Sequence, residues 1–377
     1  MTPPKTPNFQ RPKFLYLRLL WNNLGVHPLR SGLSAAAVGL QVFLILLIVG
    51  LTTGVLNDWG ARVEGVGADI IVQSPNSSIF FSFSGAAMPE SVAEQIAKLP
   101  GVDEVAPVVV LVDTKTLGVL YGIDYARFNG LSQGFTFVSG GPFAGPNDAI
   151  ADDLAAQGRK LQVGAPVSLM QRSFNLSGVV VHGKGARFFV PIKTAQDIAG
   201  VDDRVSLIYV RSTGDTEAVR AEIVKLLPTY RIRSMTEYMS LMTSSSLPEL
   251  KPFIRSFVGL GVVISFLVVL LTMYTMVLER TREIGILKAL GSSRLEICWL
   301  ILAEALLLVI LGVFFGLLGT YGLTAVLHRT SPTLQIQIPP EWIGRAILVA
   351  IAGAFCGAVY PALRAAQSDP VDALAYE

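Results

Sequence analysis

The run LSAAAVGLQVFLILLIVGLTTGVL, from Leu33 to Leu56, decides the class of fold, because about 24 consecutive residues carry no charge. A helix of about 20 apolar residues is long enough to cross the hydrocarbon core of a bilayer. A second uncharged run covers residues 256–278, and two further apolar runs cover residues 297–327 and 343–363. The sequence therefore predicts four transmembrane helices. The composition agrees, since the chain is 51% hydrophobic and only 15% charged, against about 25% charge in soluble proteins.

The charge distribution predicts the orientation of these spans. Residues 1–32 contain five basic residues and no acidic one: Lys5, Arg11, Lys13, Arg18 and Arg30. Because basic loops stay on the cytoplasmic side, this leader is predicted to be cytoplasmic, with an interfacial helix at Phe14–Leu24 or, alternatively, no fixed structure. Residues 57–254 and 328–342 are then outside, and residues 279–296 and the tail 364–377 are inside. The first span follows a 32-residue leader, so we expect a retained anchor and not a signal peptide.

The long segment between the first two spans is predicted to be one α+β extracytoplasmic domain with a stalk. Short β-branched and apolar runs, separated by Gly, Pro and Asn, predict strands beginning near Ala68, Val105, Val167, Leu176, Phe188 and Val205. Helical patterns begin at Ser91 and at Thr216, where Asp215 can cap the helix. A third helical stretch, Thr236–Leu247, is predicted to lead into the second span.

This domain offers no sequence sign of catalysis. No nucleophile or metal-binding motif occurs, and His182 has no partner at metal-ligand spacing. The acidic pairs Asp152–Asp153 and Asp202–Asp203 are interpreted as solvated residues of turns or helix starts. The apolar run IFFSF, Ile79–Phe83, is either a lipid or partner contact or an edge strand. Cys298 and Cys356 both lie in apolar runs, and a net charge of +2 gives nucleic acid no basic surface to bind.

The loop ERTREIGILKALGSSRLEI, which begins at Glu279, predicts the end of one helix followed by the start of another. Ile284, Leu287 and Leu290 follow a helical spacing. Gly291 suits the left-handed position after a helix, and Ser293 with Glu296 forms a capping box. On the residues alone, this loop is either an ordinary membrane hairpin or a docking element.

The third span contains two features of interest. Gly312, Gly316 and Gly319 have a spacing that lets another helix approach closely, within the subunit or across a dimer. Glu304 lies about two turns inside the span, where a carboxylate is costly. It is either a proton relay or a structural partner of a neighbouring span.

The loop, the glycine series and the terminal run YPALRAAQSDPVDALAYE (residues 360–377) together resemble the FtsX-like, MacB-like permeases of ABC transporters. The resemblance covers essentially the whole chain and implies a multi-pass protein of the bacterial inner membrane. It also implies that the loop docks on a cytoplasmic ATPase. The residues that inherit this coupling role by position are Glu279, Arg280, Arg282, Glu283, Ile284, Lys288 and Leu290. Ile284 is expected to face water in the free subunit.

The resemblance also implies how the chain works. It contains no GxxxxGK[ST] phosphate-binding loop, so ATP and Mg²⁺ are expected on two copies of a separate ATPase, with no cofactor on this chain. The permease is expected as a homodimer or as a heterodimer with a similar subunit, in contact with lipids and with a possible periplasmic adaptor. Its expected function is mechanotransmission for export or extraction of a lipid, lipoprotein, peptide or drug-like substrate. The alternative is a regulator that activates an extracellular cell-wall enzyme without transport.

Overall fold

The computed structural model describes residues 28–75, 88–113, 118–242 and 250–367. The predicted interfacial helix, the IFFSF run and the tail from Ser368 lie outside these residues. The chain divides into two compact units. The bundle unit contains residues 1–50, 252–325 and 337–377, and the sheet unit contains residues 51–251 and 326–336.

Regular elements cover most of the described chain. The helices are α1 (Pro28–Glu64), α2 (Ser91–Ile96), α3 (Tyr125–Leu131), α4 (Asp153–Arg159), α5 (Ile192–Ala199), α6 (Thr216–Leu226), α7 (Met235–Met242), α8 (Leu250–Glu279), α9 (Thr281–Ala289), α10 (Arg294–Thr330) and α11 (Pro340–Gln367). The strands are β1 (Ile70–Gln73), β2 (Met88–Pro89), β3 (Val102–Asp113), β4 (Gly118–Ile123), β5 (Phe137–Gly140), β6 (Asp148–Asp152), β7 (Pro166–Leu169), β8 (Arg172–Val180), β9 (Phe188–Pro191), β10 (Arg204–Val205), β11 (Leu207–Ser212) and β12 (Arg231–Ser234).

Four of these helices, α1, α8, α10 and α11, are long and apolar enough to cross a membrane. The predicted fold class, four membrane helices with an α+β domain between the first two, is confirmed. The helices extend beyond the predicted spans because the apolar runs measure only the hydrocarbon thickness. Helix α1, for example, continues through the polar residues Asn57 and Asp58 to Glu64.

Helices α1 and α10 pack through glycine. A Cβ atom added at Gly312 would lie 2.7 Å from the Cβ of Val38, and one added at Gly316 would lie 2.7 Å from the carbonyl oxygen of Gly39. A Cβ at Gly319 would instead find its nearest neighbour, in Phe43, at an ordinary 3.5 Å. The predicted packing face therefore lies within the subunit, against α1. Gly312 and Gly316 are required for the contact, and Gly319 is not.

Helices α8 and α11 pack through small residues as well. A Cβ added at Gly357 would lie 2.8 Å from the carbonyl oxygen of Phe266. Along α11, alanines recur every four residues on the buried face, at Ala346, Ala350, Ala354, Ala358 and Ala362. Small side chains allow helix backbones to approach closely, which strengthens dispersion contacts where no hydrophobic force drives helices together. A hydrogen bond of 2.7 Å between the hydroxyls of Ser34 and Thr272 adds a polar link between α1 and α8.

The sheet unit is built on one mixed sheet. Its strand order is β12-β1-β11-β3-β4-β9-β6-β8-β5, with β7 paired to β8, and a separate two-stranded pairing joins β2 and β10. The pairs β4–β9 and β6–β8 are parallel, and the other pairs are antiparallel. Such mixing fits an α+β domain in which helices interrupt the strands.

Both faces of this sheet are covered. Alternate residues of β3 belong to different cores: Val105 and Val109 pack on one face, and Ala106 and Val108 pack on the other. The second face also contains Tyr121 and Tyr209, whose hydroxyls lie 3.2 Å apart and whose pKa values are raised by burial. Because side chains alternate across a strand, a continuous apolar run such as that of β3 is typical of a strand buried on both faces.

The prediction that Asp152 is a solvated residue of a turn or helix start is only partly right. Asp152 starts α4 as expected, since its carboxylate accepts a 2.6 Å hydrogen bond from the amide of Ala155. It is not solvated, however, because it is fully buried and forms a 3.0 Å ion pair with Arg187. Burial raises the pKa of Asp152, and the neighbouring guanidinium of Arg187 opposes that change. The sequence could not show this burial because the partner lies 35 residues away.

The glycine contact gives a prediction about stability. We expect Gly316→Ala to destabilise the purified protein by about 1–3 kcal/mol, because overpacking forces backbone shifts. Gly319→Ala is the matched control, since its added methyl group would find ordinary van der Waals distance. The measurement is thermal unfolding of both variants in the same detergent. Equal melting temperatures for the two variants would contradict the assigned contact.

Candidate coupling site

The turn between α9 and α10 is fixed by backbone hydrogen bonds. Gly291 has a φ of +93°, and its amide donates to the carbonyl of Lys288, while the amide of Ser292 donates to the carbonyl of Leu287. These two bonds form a Schellman motif, in which a left-handed glycine ends the helix. The predicted position of Gly291 is confirmed.

The predicted capping box at the start of α10 is also confirmed. The amide of Ser293 donates to the carboxylate of Glu296 over 2.8 Å, and the amide of Glu296 donates to the hydroxyl of Ser293 over 3.3 Å. Two amide groups that the helix itself cannot pair are thereby satisfied. The two ends of the turn, one in α9 and one in α10, are therefore rigidly defined.

The residues predicted to couple to an ATPase divide between two faces. Glu279, Arg282, Glu283 and Leu290 are exposed, and Lys288 is half-buried. Arg280 and Ile284 instead point into the bundle unit, where their side chains are largely buried. Ile286, which the sequence analysis did not select, is 45% exposed. The sequence carried no usable signal for this exposure, because residues two apart lie on different sides of a helix and Ile284 was expected on the water-facing side.

Ile284 requires a correction. The expectation that it faces water is wrong, because only 7% of the residue is exposed and it belongs to the apolar core of the bundle. The proposed stripe of Ile284, Leu287 and Leu290 is likewise not one surface, since Leu290 is 69% exposed. The physical reason is that α9 packs against the bundle through one narrow face. Ile284 is thus a folding residue, and the accessible apolar side chains of this segment are Ile286 and Leu290.

Glu304 is held by Arg280. The side chain of Glu304 is 3% exposed, and its carboxylate lies 3.4 Å from the guanidinium of Arg280, which also lies 3.6 Å from Glu283. Arg280 is the residue between α8 and α9, and Glu304 belongs to α10. The pair therefore joins the third membrane helix, α10, to the start of residues 279–290, which we call the coupling segment. The structure shows a structural pairing for Glu304, with a residue at the end of a neighbouring span, and the proton-relay role stays an untested alternative.

A cavity of about 280 Å³ lies beside this pair. Its walls include Met276, Ile284, Ile286 and Leu300, and its charged groups are Arg280, Glu283 and Glu304. Most of the wall is apolar, so removing Arg280 would leave the buried carboxylate of Glu304 without its paired cation, which is costly.

The arrangement as a whole defines a membrane permease subunit, with four apolar helices and a large α/β domain inserted after the first. Residues 31–226 match the MacB-like periplasmic core domain, and residues 255–370 match the FtsX-like permease C-terminal family. The first match alone covers more than half of the chain. The chain therefore belongs to the MacB/FtsX type of ABC transporter permeases, whose core domain is periplasmic.

Individual relatives agree with this assignment. The chain is 24% identical to the uncharacterized ABC transporter permease YknZ of Bacillus subtilis, over 96% of this chain and 98% of that protein. It is 39% identical to the permease YvrN of the same organism, over 28% of this chain and 25% of that one. It is 25% identical to the macrolide export ATP-binding/permease protein MacB of Sodalis glossinidius, over 96% of this chain. The chain spans 60% of the length of that MacB.

Solved structures of isolated domains are also similar. The periplasmic region of MacB from Actinobacillus actinomycetemcomitans is 17% identical, with a TM-score of 0.38, over 48% of this chain and 95% of that one. The extracellular domain of YknZ is 16% identical, with a TM-score of 0.34, over 44% of this chain and 99% of that one. The family assignment rests on the sequence matches.

The Arg280–Glu304 pair gives a second prediction. Arg280→Met should destabilise the protein by about 3–5 kcal/mol, because it removes the cation paired with the buried carboxylate of Glu304. Glu304→Met should cost less, because Arg280 keeps Glu283 as a partner. Replacing both by Met should cost less than Arg280→Met alone, since neither member of the buried pair then remains. Thermal unfolding of the two single variants and the double variant in detergent measures this. Additive losses in the double variant would show that the two residues do not act as a pair.

Proposed function

We propose that this chain couples ATP hydrolysis by a separate ATPase to motion of its extracytoplasmic domain. The observation that supports this most directly is the shape of the coupling segment. Helix α9 is anchored to the bundle by Ile284 and by the Arg280–Glu304 pair, while Glu283, Ile286 and Leu290 remain exposed. An apolar and charged face on a rigid helix is suited to docking on a partner protein.

The proposed path to the extracytoplasmic domain is helix α1. This helix is 37 residues long and contains no proline after its first position, Pro28. It packs against α10 at Gly39 and continues into the sheet unit, where Arg62 and Asp58 form ion pairs. A continuous helix without a kink can carry displacement from the bundle to the domain.

The orientation is part of the proposal. The coupling segment and the termini are placed in the cytoplasm, and the sheet unit is placed outside. The support is the excess of basic residues before α1 and the match of residues 31–226 to a periplasmic core domain.

We also propose that two permease subunits associate, either two copies of this chain or this chain and a similar one. The support is Gln41 of α1, which is 4% exposed and whose amide atoms have no hydrogen-bond partner among the described residues. It lines an apolar groove of about 170 Å³ between α1 and α8, beside Leu44 and Leu260. A buried amide in hydrocarbon is costly, so a neighbouring subunit that covers this groove and offers polar groups would be stabilising.

The proposed role is export or extraction of a lipid, lipoprotein, peptide or drug-like substrate, with a periplasmic adaptor as a further candidate partner. Relatives named macrolide exporters support export over regulation of a cell-wall enzyme. In the described residues, no group of three or more His, Cys, Asp or Glu side chains could hold a metal ion. ATP and Mg²⁺ are assigned to the partner.

The coupling proposal predicts different effects for two neighbouring isoleucines. Ile286→Asp should leave folding intact but weaken ATPase binding at least tenfold, because it places a carboxylate in a docking contact. Ile284→Asp should instead remove folded protein from the membrane, because it buries an unpaired charge. The measurements are the membrane level of each variant and the amount of ABC ATPase that copurifies with it.

The mass of the wild-type complex tests the stoichiometry in the same experiment, with two permease and two ATPase chains expected. Normal ATPase capture and normal ATP turnover by the folded Ile286→Asp protein would remove α9 from the coupling mechanism.

The orientation predicts opposite labelling of two single cysteines. In a background without Cys298 and Cys356, Ser139→Cys in the sheet unit should react with an impermeant thiol reagent in spheroplasts. Ala289→Cys, at the end of α9, should react only after permeabilisation. Both original residues are exposed, so access differs only through the membrane. Labelling of Ala289→Cys alone in sealed cells would reverse the topology.

A further inference from the structure

The sheet unit contains a cleft of about 530 Å³ that is separate from the coupling site. It lies where the end of α1, helix α4, the start of β9 and residues 330–335 meet. We call it the arginine cleft and define it by Trp59, Arg62, Arg159, Arg187, Phe188 and Thr333. Its volume falls in the range of small-molecule sites.

Two of its arginines are neutralised. Arg187 lies 3.0 Å from Asp152 and 3.0 Å from Asp58, and it also donates a 3.0 Å hydrogen bond to the carbonyl of Thr333. Arg62 lies 3.1 Å from the same Asp58. The side chains of Arg62, Asp58 and Arg187 are 11–13% exposed, so the network forms a fixed polar wall.

The third arginine, Arg159, is different. It is exposed, and its guanidinium lies 4.8 Å from the ring centroid of Phe188. Among the residues that the structure describes, no carboxylate forms an ion pair with it. Stacking on an aromatic ring orients the cation while leaving its edge donors available. Among the described residues, three guanidinium groups against the two carboxylates of Asp58 and Asp152 leave one uncompensated positive charge, at Arg159.

Two of the segments that line the cleft directly follow apolar membrane-spanning runs, which predicts a position near the lipid headgroups. The uncharged run of α1 ends at Leu56, two residues before Asp58, and the apolar helix α10 ends at Thr330, where the cleft begins. Trp59, in the cleft wall, is of the residue type that is enriched at the membrane interface. Val55, Val119 and Leu334 supply apolar surface next to the charged groups.

We propose that the arginine cleft binds the phosphate of an anionic phospholipid of the outer leaflet. Arg159 pairs with the phosphate, and the apolar wall contacts the first part of the acyl chains. An uncompensated, preoriented guanidinium favours phosphate, and the net charge favours an anionic over a zwitterionic headgroup. This site does not depend on the proposed docking of an ATPase, and only its assignment to the outer leaflet rests on the proposed orientation.

The test is native mass spectrometry of the purified full-length chain titrated with dioctanoyl phosphatidylglycerol. Arg159→Gln should weaken binding about tenfold, the usual effect of losing one charge-assisted hydrogen bond, and Arg159→Lys should lose less. Lys160→Gln is the matched control, because Lys160 is the next residue, is exposed and does not line the cleft. It should bind like the wild type. Dioctanoyl phosphatidylcholine should bind several-fold more weakly.

Unchanged binding by Arg159→Gln would overturn the proposal, and so would equal losses in Arg159→Gln and Lys160→Gln, which would indicate attraction by general surface charge. Competition by inorganic phosphate at the same concentration as the lipid would also overturn it, because the site would then recognise free phosphate without the acyl chains. Melting temperatures of all three variants within a degree or two of the wild type are required, so that a loss of binding is not a loss of fold.

Discussion

The close contact between α1 and α10 is the constraint on which the rest of the bundle depends. At Gly316 and Gly39 the two helices approach so closely that even a methyl group would not fit. In lipid, helices gain little from hydrophobic burial, so such backbone proximity must supply dispersion contacts. The contact fixes α1, which continues into the sheet unit, against α10, which begins directly after the turn that follows α9. The position of α1 is therefore tied to that of α10 and, through it, to the Arg280–Glu304 pair.

The sequence predicted the elements of this arrangement better than their contacts. Four apolar runs predicted four helices, and the strand runs near Ala68 and Val105 were found as β1 and β3. Strands such as β4 and β6 were missed because Gly118–Ile123 and Asp148–Asp152 are short and carry glycine or charge. The glycine spacing identified a face of α10, but Gly39 as its partner could not be read from local pattern, since the contact joins distant segments.

The coupling segment shows the same division between local and long-range information. Gly291 and the Ser293–Glu296 box were predicted because capping depends on residues three or four apart. Ile284 was misplaced because burial depends on how α9 lies against the bundle, and a nine-residue helix with apolar and charged residues on several sides does not show which side is covered. Asp152 was misplaced for a similar reason, since its partner Arg187 lies 35 residues away in the sequence, just before β9.

The distribution of buried charge follows from this architecture. A buried ion pair adds little net stability over an apolar pair, but breaking one is costly, so such pairs favour one arrangement of the elements they join. In the bundle unit, Arg280 and Glu304 join the coupling segment to α10. In the sheet unit, Arg187 joins α1 through Asp58, the sheet through Asp152 and residues 326–336 through Thr333. At each of these junctions the network joins one of the four apolar helices to an element that is not one of them. Apolar packing would fill the same junctions but would tolerate sliding, because it is not directional. The directional geometry of a guanidinium paired with carboxylates therefore fixes the elements that meet at these positions in one arrangement.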